Sequence, residues 1–89
     1  MKVWNHSEWV SECDPEVLMA HYEGILRKAG FGILEVTQHH FQPQGFTALF
    51  LLCESHFAIH TFPEEGRTYI ELSSCNLPYF ERAIELMNE

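Results

Sequence analysis

Positive charge is scarce in this sequence. Five Lys and Arg stand against thirteen Asp and Glu, and the formal net charge is -8 with His neutral. Such a chain cannot neutralise phosphates, so nucleic acid and anionic membrane surfaces are excluded as partners. A cationic ligand is compatible with the balance, although surface carboxylates also serve solubility. Long apolar runs are missing too. None approaches the ~18 residues that cross a bilayer. The opening MKVWNHSEW has no apolar core of the signal-peptide kind, so no secretory leader is expected. Cysteine is sparse and odd in number, with three residues at unpaired spacing, which argues against a disulfide framework. A reducing cytoplasm is the expected setting.

What is present suits a small globular fold. The 89 residues are expected to form one domain, 1–89. A chain of this size buries only a little over ~60% of its unfolded surface. The apolar content of 46% is too high for a disordered chain. Seven Phe, three Tyr and two Trp are generous for the length, so a partner subunit is expected to cover some aromatic surface. No internal repeat or low-complexity segment interrupts the chain.

Residues 3–10 read as a first strand. In SECDPEVLMAHYEGILRKAG, Asp14 is a good N-cap, Pro15 fits the first helical turn and Glu16 suits the positive end of the dipole. Val17, Leu18, Tyr22, Ile25, Leu26 and Ala29 recur at helical spacing, and Gly30 fits the left-handed position after the last turn. ILEVTQHHF alternates as a strand, and QPQG is a loop. FTALFLLC is apolar almost throughout, which predicts a strand buried on both faces. HFAIHTF is read as continuing extended, PEEG as a turn and RTYIELSSC as another strand. Pro78 is expected to start a closing helix. The order is then β-α-β-β-β-α, an α+β two-layer sandwich with two helices on one face of a mainly antiparallel sheet.

Chemistry concentrates in CESHFAIHTFPEEG, residues 53–66. His56 and His60 are four apart on an extended segment, which separates them by ~13 Å. One metal ion cannot take both, and His39 and His40 point to opposite faces, so no metal site is expected. Ser55 and His60 have the chemistry of a nucleophile and a base. Along a strand they lie ~16 Å apart, while a nucleophile and its base must approach to ~3 Å. The pair fails within one subunit but can form across a two-fold interface, which predicts a dimer if both residues are functional. Taken singly, Cys75 at a strand end fits a small core residue, Glu64 and Glu65 fit a solvated turn, and Phe41 and Phe62 fit the core.

Together these positions resemble a known family. ESHFAIHTFPEEG followed by SSC resembles the core motif of the prokaryotic S-adenosylmethionine decarboxylases, which is close to ESHxxIHTWPE with TCG further on. ECDPEVL and HHFQPQGFTALFLL resemble the segments upstream, so the likeness runs from about residue 10 to residue 76. It implies a proenzyme that cuts itself between Glu54 and Ser55 and converts Ser55 into a pyruvoyl group. That group forms a Schiff base with the substrate amine and accepts electrons as carbon dioxide leaves. The resemblance assigns processing to His60 and to Thr47, which stands at a serine position. Cys75 becomes the acid that protonates the carbanion, a step within reach of a thiol. Phe41 and Phe62 become the aromatic pair around the adenine and sulfonium, and Glu64 the acid on the ribose hydroxyls. It further implies a homodimer with shared active sites, S-adenosylmethionine as substrate and spermidine synthesis as the purpose.

Departures from the motif are Thr47 for serine, Phe62 for tryptophan and Asn76 for the glycine after the cysteine. The family's last strand or helix is also expected to be missing. Two alternatives stand beside the main reading: an unprocessed, non-catalytic homologue that binds a nucleoside-like ligand, and a pyruvoyl decarboxylase of a basic amino acid. Phe41, Phe62 and Glu64 favour a nucleoside substrate over the latter.

Overall fold

Asp14 starts the first helix as its side chain dictates. Its Oδ1 accepts the backbone N–H groups of Glu16 at 2.9 Å and Val17 at 3.5 Å, satisfying donors that a helix start leaves free. The computed structural model describes residues 1–89. Helix α1 spans Pro15–Ala29 and ends on Gly30, whose φ of 112° lies in the left-handed region. A side chain there would also meet the Tyr79 ring at 2.8 Å. The backbone conformation therefore favours glycine, and any other residue would also have to displace the Tyr79 ring.

The strands are β1 (Trp4–Val10), β2 (Ile33–His40), β3 (Phe46–Leu52), β4 (Ser55–Phe62) and β5 (Arg67–Ser74), and the second helix is α2 (Leu77–Met87). They form one antiparallel sheet in the order β1-β5-β4-β3-β2. The α+β sandwich expected from the sequence is what forms. α2 begins one residue ahead of Pro78 because the Asn76 side chain caps it, accepting the Tyr79 N–H at 3.1 Å. The departure at position 76 is thus a helix cap. No helix is long and apolar enough to cross a membrane.

Two expectations need correction. The chain has one strand more than predicted, giving β-α-β-β-β-β-α. Residues 56–62 do not extend the preceding strand. The backbone reverses at Cys53–Glu54, where Glu54 takes a φ of 59°, and Leu52 then pairs with Ser55 across a two-residue turn. The second correction concerns β3, which is covered on one face only. Phe46, Ala48, Phe50 and Leu52 face the helices and are buried, while Leu49 and Leu51 are 51% and 47% exposed. Only one helical layer exists, so the alternate residues of an apolar strand are left open.

The core lies between that layer and one face of the sheet. Leu18, Tyr22, Ile25 and Leu26 of α1 and Ala83 of α2 close over Phe50, Phe57, Ile59, Ile70 and Leu72. The opposite face carries Thr47, Leu49 and Leu51 of β3, His56 and His60 of β4, and Tyr69 of β5, as the pairing register requires.

Tyr22 packs its ring 5.0 Å from that of Phe57 and is 4% exposed. Burial, with the Glu8 carboxylate second, pushes its phenol from 10.0 up to about 12. Between those values the unfolded chain has released a proton that the folded chain retains. The stabilisation is therefore complete below about pH 10 and is lost as the pH rises toward about 12. The loss amounts to about 2–3 kcal/mol. Urea unfolding at stepped alkaline pH is expected to show the decline, and Tyr22→Phe is expected to make it shallower.

Candidate active site

The pairing of β3 with β4 divides the chemistry-bearing residues into two groups. Thr47 lies directly opposite His60, both on the open face, and Thr47 Oγ1 sits 2.9 Å from His60 Nδ1. The methyl that distinguishes threonine from serine does not prevent this contact. On the other side of His60, Tyr69 of β5 occupies the paired position, with ring centroids 6.3 Å apart. Phe62 follows two residues along β4 on the same face. Its ring lies 5.8 Å from that of Trp9, which in turn stands 5.3 Å from Tyr69.

The loop after β2 completes this end. Phe41 N–H donates to the Gly45 carbonyl at 2.8 Å, and the Phe46 N–H is held by Thr61 Oγ1 at 2.9 Å. Glu64 belongs to a short 3-10 turn, Pro63–Glu65, and accepts from Gln44 Nε2 at 3.4 Å. A cavity of about 330 Å³ results, lined by Phe41, Gln44, Thr47, His60, Phe62 and Glu64 among others. Five of the residues singled out in the sequence, Phe41, Thr47, His60, Phe62 and Glu64, therefore share one hollow. Aromatic faces and a carboxylate make it suited to a flat, cationic ligand. Arg67, paired in register with Phe62, is held by Glu65 at 2.9 Å and lies over the Trp9 ring at 3.8 Å.

The remaining predicted residues gather at the other end of β4. Glu54 occupies the hairpin turn and Ser55 opens the strand. The Cys75 thiol, just past β5, reaches the Glu54 carbonyl oxygen at 3.5 Å and its carboxylate at 3.6 Å. Ser55 is 7% exposed, and its hydroxyl donates to Ser74 Oγ at 2.7 Å. Ser74 Oγ also accepts the Asn76 N–H at 2.9 Å. Sequence reasoning gives Ser74 no role, because only the register that pairs it with Ser55 makes it a neighbour.

Ser55 and His60 thus occupy one strand, five residues apart and pointing to opposite faces. Within one chain the hydroxyl and the imidazole do not meet, but the thiol does reach the peptide bond that precedes the hydroxyl. His56 and His60 share a face four residues apart. No group of three or more His, Cys, Asp or Glu comes together in a geometry that holds a metal ion.

Glu54 is the only residue other than glycine with positive φ. Left-handed backbone at such a residue costs of order 1–3 kcal/mol, and glycine removes that cost. In a Ser55→Ala background that prevents any cleavage, Glu54→Gly is expected to raise the unfolding free energy by about 1 kcal/mol, read from urea titrations of the two chains.

The model of the S-adenosylmethionine decarboxylase family matches residues 10–89. An S-adenosylmethionine decarboxylase proenzyme from Prochlorococcus marinus (strain MIT 9313) is 41% identical over 66 residues, covering 71% of this chain and 51% of the relative. One from Geobacillus sp. (strain WCH70) is 46% identical over 62 residues, covering 70% and 50%. The chain spans about half the length of the curated relatives it matches. The crystal structure of the adenosylmethionine decarboxylase from Aquifex aeolicus VF5 superposes with a TM-score of 0.73 at 25% identity, over 94% of this chain and 72% of that one.

Proposed function

The chain belongs to the S-adenosylmethionine decarboxylase family, and on that premise we propose that it is a pyruvoyl-dependent decarboxylase of S-adenosylmethionine. In this reading residues 1–89 act as one domain that cuts itself between Glu54 and Ser55. One observation carries the proposal. The bond to be cut lies in a tight turn whose first partner, Glu54, is held in left-handed backbone with a thiol 3.5 Å from its carbonyl oxygen. Such strain at a functional bond favours a reaction that releases it.

Ser55 Oγ is the nucleophile. Its attack on the Glu54 carbonyl carbon turns the amide into an ester. Loss of the Ser55 Cα proton then expels the Glu54 carboxylate, and hydrolysis of the remaining double bond releases ammonia and leaves a ketone. The residues around Ser55 fit such a group, since position 55 begins a strand and its side chain is enclosed. A pyruvoyl group there supplies a carbonyl that captures an amine and draws electrons as carbon dioxide departs. Cys75 is the acid that returns a proton to substrate carbon. Phe41 and Phe62 flank the adenine, and Glu64 accepts the ribose hydroxyls.

Two copies are needed for this chemistry. The exposed Leu49, Leu51 and Trp9 on the open sheet face support a homodimer built through that face. A two-fold axis there lets Thr47 and His60 of one copy serve the Glu54–Ser55 bond of the other. The product feeds spermidine synthesis in a reducing cytoplasm, where Cys75 stays a thiol.

Intact-mass spectrometry of the purified, incubated chain tests the cleavage. Fragments 1–54 and 55–89 are expected, the second lighter by one ammonia than a serine-initiated peptide. A single species that persists on long incubation would refute it. For the substrate, Glu64→Ala is expected to raise KM for S-adenosylmethionine about tenfold, measured by release of labelled carbon dioxide. An unchanged KM would remove the basis for a nucleoside substrate.

A further inference from the structure

Ser74 is 1% exposed, lies on the helix-facing side of β5, and is paired in register with Ser55. We propose that Ser74 is a positioning residue for self-cleavage, an inference that rests on the cut between Glu54 and Ser55. One lone pair of Ser74 Oγ takes the Asn76 N–H at 2.9 Å, and the other takes the Ser55 hydroxyl at 2.7 Å. The Ser55 hydrogen is thereby held toward β5, and the Ser55 lone pairs stay clear of Ser74. A free serine samples three staggered positions, whereas this bond selects one of them.

The anchor itself is firm. Asn76 caps α2 through Tyr79, so Ser74 is tied to a helix start that does not depend on the peptide bond being broken. Cys75 lies between these two residues, so the same corner that orients the nucleophile also aims the thiol at the Glu54 carbonyl.

In the step that Ser74 assists, the Ser55 Oγ bonds to the Glu54 carbonyl carbon and the C–N bond breaks. The hydroxyl proton ends on the nitrogen, which becomes the free amine of Ser55. Ser74 undergoes no net change. A hydroxyl both accepts and donates, so Ser74 can turn its own hydrogen toward the Ser55 oxygen as that oxygen loses its proton. An alanine can do neither.

The test is a time course of cleavage by intact mass for the wild-type chain, Ser74→Ala, Ser74→Thr and Ser74→Val, with a thermal melt of each. Ser74→Ala is expected to slow cleavage about tenfold. Ser74→Thr is expected to restore the rate to within about twofold, while Ser74→Val, which has the same shape without the hydroxyl, stays slow. A merely structural Ser74 would shift the melts and leave threonine and valine alike in rate. The proposal is overturned if alanine cleaves at the wild-type rate, or if folded threonine and valine variants cleave equally. If alanine does not fold, the threonine–valine pair decides. If the wild-type chain never cleaves, self-cleavage itself is refuted and Ser74 loses its role with it. That outcome is read from the wild type alone, before any variant.

Discussion

Leu52 pairs with Ser55 across the Cys53–Glu54 turn, and that pairing sets the register of β3 against β4. Because side chains alternate along a strand, a slip of one residue would exchange the two faces of β4. Phe57 and Ile59 would lose their place against the helices, and His60 would lose Thr47. The same register points the Ser55 hydroxyl inward, opposite Ser74, and His60 outward, opposite Thr47. Core packing and site chemistry are two readings of one alignment. The large apolar area committed to the helix-facing side is what holds the alignment in place.

The two ends of β4 carry complementary halves of the proposed site. One end has a hydroxyl, a thiol and a turn residue in left-handed backbone. The other has an imidazole, a hydroxyl and a hollow with aromatic walls. Strand geometry prevents one copy from uniting them, since five residues of extended chain span ~16 Å. In the proposed homodimer, the exposed leucines on the open face tie this separation to assembly. A face that a second copy covers can leave Leu49 and Leu51 apolar, and the imidazole is already on that face.

The sequence made the first helix legible almost to the residue, because Asp14, Pro15 and Gly30 each act locally, through capping or allowed φ, without reference to the rest of the fold. The residues of the hollow were legible through their motif, although their convergence depends on cross-strand pairing. The hairpin turn was not legible. Cysteine and glutamate are not turn formers, and Glu54 accepts a conformation usually left to glycine or asparagine. The one-sided burial of β3 was hidden for a different reason. An apolar run reads alike whether its second face meets a helix or another copy. Asn76 looked like a substitution at a glycine position, and its value as a helix cap emerges only once α2 is seen to begin beside it.

The order of the strands carries a mechanical consequence. The proposed break after Glu54 would assign β1, β2 and β3 to one piece and β4 and β5 to the other. In the sheet the second piece lies in the middle, with β5 bonded to β1 on one flank and β4 bonded to β3 on the other. The severed halves are interlaced like clasped fingers. Neither can leave without unzipping a full ladder on each side, so the chain can be opened at its tightest bend while the architecture stays whole.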